Sequence, residues 1–424
     1  MEKKPIKKSV WSLLWVGWIA IALSQVLTFG YGMMVPGIME SFGIDYAKIG
    51  MVGSIAGWVA VVANIPVAAL AARSNPKYAL PVIYGLFGLG CILFGTAQSM
   101  ALLYIGRIIA GIAGAGLISA LVVIKVRHIP GDRMAEINGI ENFVQPIGQT
   151  CATLFMAQLL ALLAGWRGVY IVISCLMFVC ALIWIFVFNK VDKATAAEAK
   201  PAEAAEEAKP AAPAAEDVPV MKALKMALTK RTVLLYALAY PGTIIIWIGF
   251  FYFYPSFFME TRGFTAAQAG LATGLFPVFS ALASIITPKI TAKLDLNKSV
   301  LVVHAILLCL GYFLMLQIKS LALLCVVSAI TGFISYTAVP IYFTNVYMLG
   351  LPPKAVQMAT SILLTMVSLG SAIGATVIGA LINTNGLYAG LAICCLTPLW
   401  YSLLVAFTPS YSRKAMAKRA SQGK

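Results

Sequence analysis

Apolar residues in this chain gather into long runs separated by short polar or basic stretches. A run of about 20 residues crosses a bilayer core as helix, so the span is the unit to count. Six runs occupy 11–37, 49–71, 78–96, 101–124, 134–163 and 168–188. After a polar interval, six more occupy 232–258, 266–287, 300–317, 321–349, 356–381 and 387–407. The first follows Lys3, Lys4, Lys7 and Lys8. It exceeds the roughly 7 to 15 residue core of a cleavable signal peptide and reads as a retained helix. The pattern predicts an all-α membrane protein with twelve transmembrane helices, named span 1 to span 12 below.

Composition agrees: 61% of the 424 residues are hydrophobic and 11% charged, against about 45–50% apolar and 25% charged in soluble domains. The interval between the sixes, 190–220, is Ala, Glu, Lys and Pro without an aromatic residue. Such a segment cannot bury a core and reads as a disordered tether, with transient helix over part of it as the alternative. The expected organisation is a bundle over 1–189, a cytoplasmic linker over 190–220, a second bundle over 221–410 and a basic cytoplasmic tail over 411–424.

Charge gives the orientation, because cytoplasmic loops keep Lys and Arg. With both termini inside, 31 Lys and Arg fall on the cytoplasmic side, except Lys48, Arg167, Arg262 and Lys319 outside and Arg107 within a span. The net charge of +16 is then topology plus attraction to anionic headgroups, and no nucleic-acid surface is implied. The expected location is the cell membrane, multi-pass.

The halves echo each other. LAARSNPK (70–77) between spans 2 and 3 has a counterpart in ITAKLDLNK (290–298) between spans 8 and 9. Pro130, Gly131, Asp132 and Arg133 precede span 5, and Pro352, Pro353 and Lys354 precede span 11. Such a duplication places a binding site where the two copies meet, so the twelve helices are expected as two pseudo-symmetric six-helix bundles.

On these features the chain resembles the major facilitator superfamily, with six plus six helices, a long central loop and a short basic loop between spans 2 and 3. That family's loop runs Gly-x-Leu-Ala-Asp-Arg-x-Gly-Arg-Lys. Here Leu70, Ala71, Arg73 and Lys77 fit, while Ala68, Ala72, Asn75 and Pro76 depart. The acid that helps latch the cytoplasmic side in the family is replaced by Ala72. In span 4, Arg107, Gly111, Gly114 and Gly116 resemble the family's Arg with spaced glycines. In span 5, Gln145, Pro146 and Gly148 stand where antiporters carry a Gly-Pro pair. The resemblance implies alternating access and a gating role for Arg73, Lys77, Gln145 and Pro146. It also implies that spans 1, 4, 7 and 10 line the cavity.

A helix facing water or solute should carry a polar stripe at i, i+3, i+4 and i+7. Span 1 has Gln25, Thr28 and Gly32; span 7 has Tyr236, Tyr240, Thr243 and Trp247; span 10 has Ser328, Thr331 and Ser335. Span 6 is almost wholly apolar. Two readings stand for such residues, solute contact and close helix packing.

Arg107 is the sharpest candidate, since a charge inside a span is costly unless it faces a cavity or a partner. It should lie about 10 Å below the outer end of span 4, with Glu141 roughly 18 Å away along the membrane normal at the helical rise. One reading is a guanidinium awaiting a solute carboxylate, which it binds with two prongs. The other is snorkelling or carbonyl bonding. Glu141 is the candidate for proton coupling, or else a structural partner of Lys125 or Arg127.

Prolines within spans, at Pro146, Pro241, Pro277 and Pro340, fit helices whose freed groups find neighbours or cavity water. The eight cysteines and two histidines lack metal or disulfide spacing, and no phosphate-binding Gly-Lys-Ser/Thr motif appears. No cofactor, metal or catalytic constellation is expected, and the chain reads as no enzyme. The expected function is secondary active transport of a small organic anion, a carboxylate, by a monomer among membrane lipids, with a proton or sodium as coupling ion. The substrate-binding set is Arg107, Gln25, Thr28, Tyr240, Thr243, Trp247, Thr331 and Ser335. The alternative is a proton-coupled exporter of hydrophobic or cationic compounds, which requires a buried acid in the cavity.

Overall fold

The computed structural model describes residues 8–129, 133–199, 219–295 and 298–412, with 6, 414, 415 and 421 besides. Pro130, Gly131, Asp132, most of the tether and Arg413 lie outside the described residues.

The helices form twelve membrane passages in two bundles of six. Span 1 is Lys8–Phe29 continued by Tyr31–Phe42, and spans 2 to 4 are Tyr46–Arg73, Pro76–Gly95 and Met100–His128. Span 5 is Met134–Leu154 with Met156–Leu162, and span 6 is Trp166–Ala199. A short helix, Val220–Thr229, leads into span 7, Arg231–Glu260. Spans 8 and 9 are Ala266–Leu294 and Lys298–Gln317, and span 10 is Leu321–Ser335 with Val339–Tyr347. Span 11 is Pro353–Asn385, and span 12 is Leu387–Cys394 with Thr397–Ala406.

Among the described residues, 11 helical stretches are long and apolar enough to cross a membrane unaided. Span 5 is the exception, because Glu136, Asn138, Glu141, Asn142, Gln145 and Gln149 crowd one passage. Its polar groups need protein around them, which neighbouring spans provide. The interruptions have local causes. Proline lacks an amide donor and is at ease in a first helical turn, so span 10 stops at Ser335 and restarts with Pro340 in the first turn of Val339–Tyr347. Span 6 continues as helix to Ala199, into the segment expected as tether.

The internal symmetry is visible in matched contacts. Ser174 of span 6 donates to the Gly88 carbonyl of span 3 at 2.5 Å, and Ser402 of span 12 donates to the Val302 carbonyl of span 9 at 3.1 Å. Across the bundles, span 2 packs on span 11 and span 5 on span 8, an exchange of equivalent helices. These seams are close enough to need glycine. A Cβ on Gly50 would strike the Ala375 carbonyl, and one on Gly270 would lie 2.6 Å from the Thr153 carbonyl.

One continuous buried core fills the first bundle and reaches into the second along Phe250, Phe251, Tyr252, Phe253 and Tyr254. A separate core, around Tyr236, Tyr240, Tyr342 and Tyr401, fills the other half of the second bundle. The bundles are thus fused at the end of the molecule opposite the basic loops. We call the two ends the basic face and the opposite face.

Candidate functional site

Arg107 sits inside the first bundle, 7% exposed. Its guanidinium carbon lies 4.4 Å from the Tyr31 ring centre, 4.8 Å from Phe94 and 5.9 Å from Tyr170. Spans 1, 3 and 6 each contribute one ring to this cage. Ring faces attract cations by their quadrupole, more strongly when water is excluded. The cage therefore holds the charge where no carboxylate partners it among the described residues. Rings do not satisfy every donor: Nε and Nη2 of Arg107 and the Tyr170 hydroxyl are buried without a hydrogen-bond partner. Unspent buried donors are costly, and here they converge on a fixed positive charge.

Tyr31 joins this cage to the seam between bundles. Its hydroxyl donates to the Ile49 carbonyl of span 2 at 2.9 Å, and its ring lies 4.8 Å from that of Tyr252 on span 7. Two residues towards the basic face, Phe29 meets Trp247 at 5.2 Å and Phe251 at 4.8 Å, edge to face. Gly32 lies so close to span 7 that a Cβ would collide with the Phe251 carbonyl. Aromatic rings and one bare backbone thus seal the two bundles together. At the opposite face Tyr46 of span 2 donates to Glu260 of span 7 at 2.7 Å.

The remaining expected residues fall into separate places. Gln25 and Thr28 are half-buried on span 1. Thr28 returns its hydroxyl to the Ser24 carbonyl at 3.0 Å, and Gln25 packs beside Gly148 of span 5. Trp247 is half-buried at the aromatic seal. Tyr240 is buried against Tyr342, 4.8 Å away, and Thr243 donates to the Tyr240 carbonyl at 3.1 Å. Thr331 is turned towards span 9, where it occupies the space beside Gly311, and donates to Val327 at 2.7 Å. Ser335 bonds Ser280 of span 8 at 3.1 Å. The Thr331 and Ser335 hydroxyls are therefore engaged in helix packing, while the buried Ser328 hydroxyl has no hydrogen-bond partner. A small polar residue serves both purposes equally well, and spacing alone does not say which neighbour it meets.

Glu141 forms a buried, two-pronged pair with Lys125 of span 4, at 3.0 and 2.9 Å. Both side chains are under a tenth exposed. Of the residues expected to gate, Arg73 is exposed near the end of span 2. Lys77 follows the Asn75 cap of span 3, to whose side chain it donates its amide at 3.0 Å. Gln145 is half-buried and Pro146 buried within span 5. Neither pair is brought to Arg107.

Sequence reasoning missed Tyr31, Phe94, Tyr170 and Tyr252, and the cross-bundle bonds from Tyr46 to Glu260 and from Asn64 to Ser368 (3.3 Å). The available signal was the intramembrane arginine without an acid at its depth, which calls for aromatic partners on other spans. Among the described residues no group of three or more His, Cys, Asp and Glu is placed to hold a metal.

Three likenesses bear on this arrangement. A bacterial homolog of the human lysosomal transporter Spinster, solved in an inward-facing and unoccupied conformation, superposes with a TM-score of 0.77 at 16% identity, covering 95% of this chain and 96% of that one. The nucleoside transporter NupG, solved as a point mutant, superposes with a TM-score of 0.72 at 14% identity, covering 97% and 99%. At these identities the likeness concerns the fold alone. In sequence, 124 residues are 32% identical to the nitrate/nitrite transporter NrtP of Picosynechococcus sp. (strain ATCC 27264 / PCC 7002 / PR-6). That stretch is 29% of this chain and 23% of the relative, so the match spans less than a quarter of that protein's length. The two six-helix bundles, their exchanged seams and the match of residues 17–375 and 245–422 to the family model agree that the chain belongs to the Major Facilitator Superfamily, a family of membrane transporters.

Proposed function

We propose that this protein is a secondary active transporter of a small organic anion, a carboxylate in the first instance, working by alternating access. The observation that carries the reading is Arg107: a permanent charge, buried, with two unspent donors and no carboxylate partner among the described residues. A planar two-oxygen anion matches a guanidinium fork and supplies the missing charge. The partial likeness to a nitrate/nitrite transporter supports a small planar oxyanion as cargo. Tyr31 stands at the approach to Arg107 from the bundle seam, so loading accompanies separation of the bundles at the opposite face.

The moving bodies are 1–189 and 221–410, tethered through 190–220, with the basic face and both termini in the cytoplasm and the chain in the cell membrane. Gln25 and Thr28 line the solute path on the basic side of the aromatic seal, and Trp247 meets the solute as part of the seal itself. Arg73, Lys77, Gln145 and Pro146 act in gating. If a proton is the coupling ion, Glu141 takes it, and the Lys125 pair is what that proton breaks. A cationic exporter needs a free acid in the cavity, and the buried Glu141 is already engaged.

Uptake of radiolabelled monocarboxylates and nitrate into proteoliposomes, under imposed pH and potential gradients, tests the reading. Arg107→Gln should lower anion uptake at least tenfold, and Arg107→Lys, which keeps the charge without the fork, should retain more. Unchanged uptake of every anion by Arg107→Gln overturns it, as does stabilisation of the purified protein by cations and not by anions.

A further inference from the structure

The helix Val220–Thr229 lies between the tether and span 7 and belongs to no membrane passage. Ala223 and Ala227, one turn apart, are both fully buried, and the helix packs along span 11 and the start of span 7. Leu224 and Met226 flank the two alanines half-buried, and the remaining face is open. Met221 is 75% and Leu228 40% exposed; seven residues apart, they share one ridge. Lys222 and Lys225 form the next ridge, and Lys230 and Arg231 follow at the turn into span 7. All four cations are exposed, and none has a carboxylate partner among the described residues. At Lys230 the backbone is extended, with φ −80° and ψ 111°, so the helix ends and the chain turns into the membrane within one residue. That fixes the helix at headgroup depth.

We infer that Val220–Thr229 is an in-plane anchor that binds the anionic headgroups of the leaflet on the basic face. A helix with a cationic ridge beside an apolar one suits an interface where each finds its own medium. Met221 and Leu228 enter the acyl boundary while Lys222, Lys225, Lys230 and Arg231 take the phosphates. Because Ala223 and Ala227 weld the helix to the second bundle, lipid bound there holds the start of span 7 at a set depth. The inference does not depend on what Arg107 binds.

The test uses the full chain in mixed phosphatidylcholine and phosphatidylglycerol, with retained lipid read by native mass spectrometry. Wild type should retain phosphatidylglycerol in preference. Lys222→Gln with Lys225→Gln should reduce that preference by about fivefold for each lysine removed, the effect expected of a cation near an anionic surface. Lys289→Gln with Lys293→Gln, exposed cations at the end of span 8, should leave it nearly intact. Met221→Ser with Leu228→Ser should weaken retention of both lipids. Equal retention of the two lipids by wild type, or no change in the Lys222 and Lys225 variant, overturns the inference. So does displacement of the lipid by soluble glycerol phosphate at matched concentration, since that assigns the site to a free anion.

Discussion

The ring of Tyr31 touches Arg107, 4.4 Å from its guanidinium carbon, and also Tyr252 of the other bundle, at 4.8 Å. The cover of the buried charge is thus part of the seam between the bundles. Tyr31→Phe keeps the ring and loses the bond to the Ile49 carbonyl, a change of about 1 kcal/mol. Tyr31→Ala removes the ring, opens a cavity and should cost about 3 kcal/mol or more. With the cover gone, small anions should raise the melting temperature of Tyr31→Ala more than that of wild type or Tyr31→Phe. Equal anion-induced shifts in all three would mean that Tyr31 does not restrict access to Arg107.

The Lys125–Glu141 pair is buried on both sides, so its two halves are worth much less apart than together. Glu141→Gln leaves Lys125 without its carboxylate and should cost about 3 kcal/mol, whereas Lys125→Met with Glu141→Leu should be close to neutral. Thermal unfolding of the two single variants and the double variant gives the coupling directly. Uptake in the double variant then separates structure from coupling: a stable protein that no longer concentrates solute under a pH gradient identifies Glu141 with the proton step.

How much of the molecule is legible in its sequence follows from the distance over which each feature is encoded. Spans are local, because the bilayer requires every backbone group to be satisfied within about 20 residues. Even span 5, with its many polar residues, is readable from its flanks. Interruptions are partly readable: Pro340 signals a break, and span 10 restarts there, whereas the break at Gly30, between Phe29 and Tyr31, has no proline beside it. The continuation of span 6 to Ala199 is left open by the sequence, because Ala, Glu and Lys suit a helix as readily as a tether. The surroundings of Arg107 are least legible. Tyr31, Phe94 and Tyr170 lie on three other helices, and no spacing along the chain relates them. Thr331 and Ser335 carry the right periodicity yet face spans 9 and 8.

At the opposite face the bond from Tyr46 to Glu260, 2.7 Å long, links the start of span 2 to the end of span 7. Glu260 is exposed, so solvent screening holds the bond to about 1 kcal/mol, below the usual range for bonds to charged groups. Tyr46→Phe should therefore raise the population open at that face by about fivefold. Spin labels at Lys48 and Thr261, in a cysteine-free background, report the change as a longer-distance component in pulsed electron resonance. An unchanged distance distribution would show that the aromatic seal alone sets the closed state.

Two glycines separate close approach from helix composition. Gly114 belongs to the spaced glycines after Arg107, but the nearest atom to an added Cβ there is Phe87 at 3.8 Å, an ordinary contact. At Gly32 the same methyl would collide with the Phe251 carbonyl of span 7, and backbone cannot step aside as a side chain can. Gly114→Ala should fold and transport like wild type and gain up to about 1 kcal/mol, since alanine is the better helix former. Gly32→Ala should force spans 1 and 7 apart beneath the Tyr46–Glu260 bond and lower uptake at least tenfold. Because Gly32 lies at the seam and not within one bundle's interior, each bundle should still fold, with melting shifted by only a few degrees. Uptake and melting measured on both variants decide the point: full transport by Gly32→Ala would mean that the closed seam is not a state the cycle must visit.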